Sequence, residues 1–147
     1  MIANSVRIIV FQKDEEIGIK EKLLELIPFD ITEEKIELVE KKAQGFEEKE
    51  IKIYELLLVK ERHVNSFIEH LIGRLSDEVK EVILRQAESR LDDECNFYLR
   101  FSKEKLIKEN DFWITDQGNC FHIKINIAAF PKKKEKALEI VSTLFKI

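Results

Sequence analysis

Two short stretches in the last third of the chain combine side chains suited to a polyanion. Asn96 to Phe101 reads Asn-Phe-Tyr-Leu-Arg-Phe, and Ile123 to Glu135 reads Ile-Lys-Ile-Asn-Ile-Ala-Ala-Phe-Pro-Lys-Lys-Lys-Glu. A strand sends alternate residues to opposite faces, so Phe97, Leu99 and Phe101 point to a core while Tyr98 and Arg100 point outward. The same alternation sets Trp113, His122, Lys124 and Asn126 on outward positions. Aromatic rings stack on unpaired bases, at about 1–3 kcal/mol per base, and arginine or lysine meets phosphate. The set suits single-stranded RNA. It suits equally a half-buried sheet face on which Trp113 packs beneath a loop or a partner.

The final helix adds a second feature. Its sequence signal places Pro131 at the first helical position, with Lys132, Lys133 and Lys134 in the first turn. Cations there oppose the helix dipole by up to ~1 kcal/mol each. Free N–H groups together with three ammonium groups would make an anion site; alternatively, solvent and Glu135 screen a small penalty and the lysines have no ligand. Arg90, just before Asp92 and Asp93, reads either as a phosphate contact or as the C-terminal cation of a helix followed by a capping turn.

Signals for catalysis or metal binding are missing from the sequence. There is no phosphate-binding glycine loop, no Gly-x-Ser-x-Gly and no His-Glu-x-x-His, and only four glycines are present to build tight active-site turns. Asp92, Asp93 and Glu94 are consecutive and do not converge on one magnesium ion. His63 and His70 lie seven apart on a helical pattern without a third zinc ligand, and read as surface or boundary histidines. No enzyme activity, cofactor or metal is expected.

Elements that could position these residues follow from hydrophobic periodicity. Charged residues make up 37% of the 147 and hydrophobic ones 44%, a balance that excludes disorder and fits one domain over residues 1–147. The profile, rich in Lys, Glu and Ile with a single Met, is similar to that of hyperthermophile proteins. Net charge is −4, yet residues 100–147 hold 10 basic and 6 acidic side chains, so the basic excess lies with the two motifs. Cys95 and Cys120 form no Cys-x-x-Cys pair and read as free thiols of a reducing cytoplasm. No signal peptide or membrane span is expected.

Val6–Phe11 reads as a strand, followed by a helix that Asp14 caps, that carries Ile17, Leu23, Leu24 and Ile27, and that stops at Pro28. Lys35–Glu40 and Ile51–Val59 read as an edge strand and a buried strand joined by a hairpin near Gln44-Gly45. Val64, Phe67, Ile68, Leu71, Ile72 and Leu75 match a helical face, and Ser76 caps a further helix that ends near Arg90 to Asp93. Asn96–Phe101 is a strand and Lys103–Lys108 a short helix. Phe112–Asp116 then pairs with Asn119–Phe130 across Gln117-Gly118, setting Phe112 opposite Ile123, Trp113 opposite His122, Ile114 opposite Phe121 and Thr115 opposite Cys120. The expected fold is α+β, a two-layer sandwich of a mainly antiparallel sheet with helices on one face.

The two motifs resemble an archaeal RNA-binding-domain family described as predicted exosome subunits. Its pattern has an Arg and an Asp ahead of a Tyr-Leu-Arg-Phe-Asp-Lys strand, and later an apolar strand ending Ala-(Tyr)-Pro-x-Lys-Arg-Glu-x-Ala. Arg90, Asp92, Tyr98, Leu99, Arg100, Phe101, Lys103, Lys124, Ala129, Pro131, Lys133, Lys134, Glu135 and Ala137 match it. Ser102 and Glu104 depart from the usual Asp and Gln, and no glycine follows the short helix in Leu106–Asn110. The resemblance implies a fold similar to the ribosomal protein that binds five-S RNA, and a non-catalytic RNA-binding role accessory to RNA processing or degradation. The expected RNA contacts are Arg90, Tyr98, Arg100, Lys103, Trp113, Lys124, Lys132, Lys133 and Lys134. One rival is a protein-interaction or assembly subunit, with Trp113 and Tyr98 as interface anchors, in a homo-oligomer or a larger complex. A remoter rival is an enzyme acting on a phosphorylated small molecule at the Pro131 helix.

Overall fold

The computed structural model describes residues 2–44 and 49–147. In chain order these form β1 (Ala3–Lys13), α1 (Ile19–Glu25), β2 (Leu38–Gln44), β3 (Glu50–Leu58), α2 (Glu61–Arg74) and α3 (Asp77–Arg85), followed by α4 (Ala87–Arg90), β4 (Asn96–Ser102), α5 (Lys103–Glu109), β5 (Cys120–Ile127) and α6 (Lys134–Leu144). The strands make one five-stranded sheet in the order β2-β3-β1-β5-β4. Every pairing is antiparallel.

Alternation explains the layers. Val6, Ile8 and Val10 of β1, Leu56 and Leu58 of β3, Phe97, Leu99 and Phe101 of β4, and Phe121, Ile123 and Ile125 of β5 are almost wholly buried. They share a hydrophobic cluster with Leu23 of α1, Val64, Phe67 and Ile68 of α2, Ile83 of α3, and Ala137 and Val141 of α6. Each fully buried Leu, Ile or Phe contributes about 1.5–3 kcal/mol relative to exposure. The intervening strand residues, among them Arg7, Ile9, Tyr98, Arg100, His122 and Lys124, stay half-buried or exposed. Helices therefore cover one face of the sheet. No helix among the described residues is long and apolar enough to cross a membrane.

Several expected elements differ. α1 starts at Ile19 behind Gly18, whose φ of 80° suits glycine, so Asp14 caps nothing and Ile17 is exposed. Ser76 caps α3 as expected, its hydroxyl accepting from the Val79 N–H at 3.2 Å. The helix expected to run on to Arg90–Asp93 breaks at Gln86 into α3 and α4. β2 and β3 pair antiparallel up to Gln44 opposite Glu50; Gly45 lies outside the described residues. His63 is buried against Phe29 and Glu34 rather than at the surface.

The hairpin of Phe112–Asp116 with β5 does not form. β5 already has β1 on one side and β4 on the other, so neither of its edges is open. Residues 112–115 instead run along the outer edge of β4, where Ile114 bridges Phe101. The Ser102 N–H donates to the Trp113 carbonyl at 2.8 Å and the Thr115 N–H to the Arg100 carbonyl at 2.9 Å. The last helix also begins later than expected. Lys133 is its N-cap, with Pro131 and Lys132 in the preceding turn.

Candidate nucleic-acid interface

On the helix-free face, register brings the outward residues of β4, β5 and β1 together. Tyr98 of β4 lies opposite Lys124 of β5, and Arg100 opposite His122. On the other flank of β5, Lys124 lies opposite Arg7 of β1, and His122 opposite Ile9. Like charges directly opposite on neighbouring strands destabilise a sheet, so Arg7 facing Lys124 is an unfavourable choice for the fold. Glu55 of β3 relieves Arg7 through an ion pair of 3.1 Å. Lys124 has no carboxylate partner among the described residues. Among the described residues the Arg100 side chain donates only to the Asp116 carbonyl, at 3.5 Å. His122 sits within this cationic group with its ring centroid 5.6 Å from that of Tyr98. Partial burial, followed by the charges of Arg100 and Lys124, lowers its pKa below the ordinary histidine value, so the ring is neutral at pH 7.

Tyr98 is fixed by a polar network. Its hydroxyl donates to Asp92 Oδ2 at 2.8 Å, and the Asn96 amide donates to the same oxygen at 3.1 Å. The N–H groups of Glu94 and Asn96 both donate to Asp92 Oδ1 at 2.9 Å. Burial opposes ionisation of Asp92, but these donors outweigh it and hold the carboxyl below the usual aspartate range. Asn126 extends the network, donating to Asn96 Oδ1 at 2.8 Å and to the Glu94 carbonyl at 3.3 Å.

Three expected contacts lie elsewhere. Arg90 is buried; its guanidinium donates to Gln86 Oε1 and, at 3.4 Å, to the Tyr98 carbonyl. It thus caps a backbone acceptor on the outer edge of β4, beside the Thr115 contact, and protects an edge strand. Lys103 is also buried, at 3% exposure, with its ammonium bonded to the Phe11 carbonyl and to Glu16 Oε1 at 3.1 Å. It ties α5 to the end of β1 and offers nothing to a phosphate. Trp113 is 54% exposed and lines a hollow of about 300 Å³ with Ser76, Val79 and Val82 around α3; neither Tyr98 nor Arg100 lines it.

The lysine run is split. Lys132 Nζ pairs with Glu94 Oε2 at 2.8 Å, which stitches the turn before α6 to the Asp92–Asn96 loop. Lys133 and Lys134 have no carboxylate partner among the described residues, and neither lies more than one residue inside the helix. The three-lysine first turn expected from Pro131 is therefore not built. Sequence reasoning missed Arg7, because its only local signal is membership of an apolar strand; its neighbour Lys124 is 117 positions away. Among the described residues no cluster of His, Cys, Asp and Glu could hold a metal ion.

Comparison with known proteins adds an independent line. A family model described as RNA binding matches residues 5–127. A curated RNA-binding protein of Pyrococcus abyssi is 26% identical over 136 residues, covering 92% of this chain and 88% of its own. A crystal structure of a protein from Archaeglobus fulgidus superposes with a TM-score of 0.81 at 24% identity, over 97% of this chain and 99% of the other. A structure from Methanothermobacter thermautotrophicus gives 0.77 at 22% identity, over 99% and 100%. Both structures are alike in fold.

Proposed function

The chain belongs to the RNA-binding family, and from that premise we propose that it is a non-catalytic RNA-binding protein whose contact surface is the helix-free face of β4, β5 and β1. The observation that carries this reading is the placement of Arg7 directly opposite Lys124, with Arg100 beside them, on a surface that no helix covers. A sheet gains nothing from cations placed opposite one another; a bound phosphate backbone neutralises them and releases counterions. Tyr98 supplies an aromatic ring held by Asp92, and Lys133 with Lys134 extends the cationic surface beyond the C-terminal end of β5. The likeness to the five-S-RNA-binding ribosomal protein fold and a role accessory to RNA processing, including an exosome association, belong to the same reading and rest on the family resemblance.

Fluorescence anisotropy with a labelled RNA across salt concentrations tests it. Affinity falls as salt rises, by a slope of about 0.7 per phosphate contact for a single strand. Wild-type protein that binds no RNA at low salt overturns the reading.

A second surface favours a protein partner. Phe11, Leu57 and Val59 are 45%, 42% and 62% exposed on the β1–β3 half of the sheet and its end. A homodimer or complex formed there would leave the β4–β5 half open. Light scattering on dilute and concentrated samples of wild type and Leu57→Lys distinguishes a self-associating patch from a solvated one.

A further inference from the structure

Phe130 is the most exposed large apolar side chain among the described residues, at 91%, and nothing in the fold uses it. It stands in the turn between β5 and α6, directly before Pro131 and the lysines Lys132 to Lys134. This turn is well tethered. The Ala128 N–H donates to the Ile2 carbonyl and the Ala129 N–H to the Ile127 carbonyl, each at 2.9 Å, and the Lys133 N–H donates to the Pro131 carbonyl at 2.8 Å. Lys132 pairs with Glu94. Glu94 in turn shares the Asp92 network that fixes the Tyr98 hydroxyl, and its carbonyl accepts from Asn126 on the open face. Phe130 and Tyr98 are thus held to one polar frame at the same end of the sheet.

We infer that Phe130 is a stacking platform for one unpaired base, so that the RNA taken by this protein is single-stranded or has an extruded nucleotide where it leaves the sheet at the end of β5. This rests on the RNA-binding reading above. A phenyl ring has only two torsions to order, and the backbone that carries it is already tethered, so stacking costs little conformational freedom. Its immediate neighbours favour nucleic acid over a protein partner, because Lys133 and Lys134 lie within four residues and lack carboxylate partners among the described residues. Protein interface cores are depleted in charge, above all in lysine. A continuous duplex presents no free base face to such a ring.

The test compares wild type, Phe130→Ala, Phe130→Leu, Phe130→Trp and Arg100→Gln/Lys124→Gln. Each is titrated by anisotropy into a short labelled single-stranded RNA and into a blunt duplex of the same length. Phe130→Ala and Phe130→Leu weaken single-strand binding by about 5- to 150-fold, the equivalent of one stacked base, and leave duplex binding and the salt slope unchanged. Phe130→Trp retains affinity. Single-strand binding unaltered in Phe130→Ala but lost in Arg100→Gln/Lys124→Gln overturns the platform and leaves the RNA-binding reading intact. So does an equal loss on duplex, or a change from dimer to monomer by light scattering in Phe130→Ala, which makes the ring a protein contact. If wild type binds neither RNA, the underlying reading fails as well.

Discussion

Replacing Lys124 by Gln should stabilise the protein and weaken its hold on RNA at the same time. Lys124 lies directly opposite Arg7, with Cβ atoms about 5 Å apart in such a pair, and directly opposite Tyr98 on the other side. Cross-strand charge pairs are worth roughly 0.2–1 kcal/mol, and two exposed charges about 5 Å apart in water repel by about 0.8 kcal/mol. The ion pair of Arg7 with Glu55 draws the guanidinium charge away, which puts the relief near the lower end, about 0.2–0.5 kcal/mol. In a chain of this size that is about 0.5–2 °C in Tm. Gln keeps the length and much of the stem, so packing changes little. Urea unfolding at matched m-value should show a higher midpoint for Lys124→Gln at low salt, and the gain should vanish near 1 M salt, where the screening length is about 3 Å. A cycle with Arg7→Gln isolates the repulsion from the separate loss of the Glu55 pair. The same variant should flatten the RNA salt dependence by about 0.7, one phosphate contact. Loss of stability exceeding about 0.5 kcal/mol with RNA affinity intact would refute the reasoning, since Lys124 would then be serving the fold.

Lys103→Met should cost about 2–3 kcal/mol by equilibrium unfolding, because it leaves the Phe11 carbonyl unpaired and Glu16 with only its Lys13 N–H; RNA affinity of the folded variant stays as in wild type. Asp92→Ala strands the Tyr98 hydroxyl and two backbone N–H groups and should cost about 2 kcal/mol; since the folded-state pKa of Asp92 is depressed, its contribution is full above the ordinary aspartate pKa and is lost as pH falls below it, so wild type and variant converge in stability towards acid pH. His122 also has a depressed folded pKa, so its contribution to stability is full above about pH 6.5 and falls as pH drops through its folded pKa. Burial is the larger cause of that depression and RNA leaves it in place, but phosphate opposes the part due to Arg100 and Lys124, so RNA affinity should rise as pH falls below the ordinary histidine value, and His122→Gln should remove the rise in anisotropy titrations.

How the sequence maps onto this structure depends on the range of the interactions. Phe97, Leu99, Phe101, Phe121 and Ile123 are legible as core positions because strand alternation is local, and all are fully buried. The pairing of Tyr98, Arg100, His122 and Lys124 on one face follows once β4 and β5 are neighbours. The neighbour of β5 on its other side was not legible. Its contact with β1 closes across most of the chain, and nothing in Val6–Phe11 names a partner, so Arg7 stayed hidden. The apolar alternation of Phe112 and Ile114 fits any open strand edge, and a Gln-Gly pair suggests the nearest one; occupancy of both edges of β5 decided otherwise. Arg90 and Lys103 look like solvent-facing cations in sequence, yet buried backbone carbonyls at the edge of β4 and the end of β1 need donors, and these two residues supply them. Pro131 carries a first-turn signal, but the Lys133 N–H turns back to the Pro131 carbonyl and Lys133 is extended, so the helix starts three residues later.

The most direct measurement is the salt dependence of RNA affinity for wild type beside Arg100→Gln/Lys124→Gln, both checked for native unfolding midpoints. With RNA on the β4–β5–β1 face, the double variant binds more weakly and its slope of log affinity against log salt is shallower by about 1.4, two phosphate contacts. An identical slope and affinity in the two proteins would contradict an RNA path across this face.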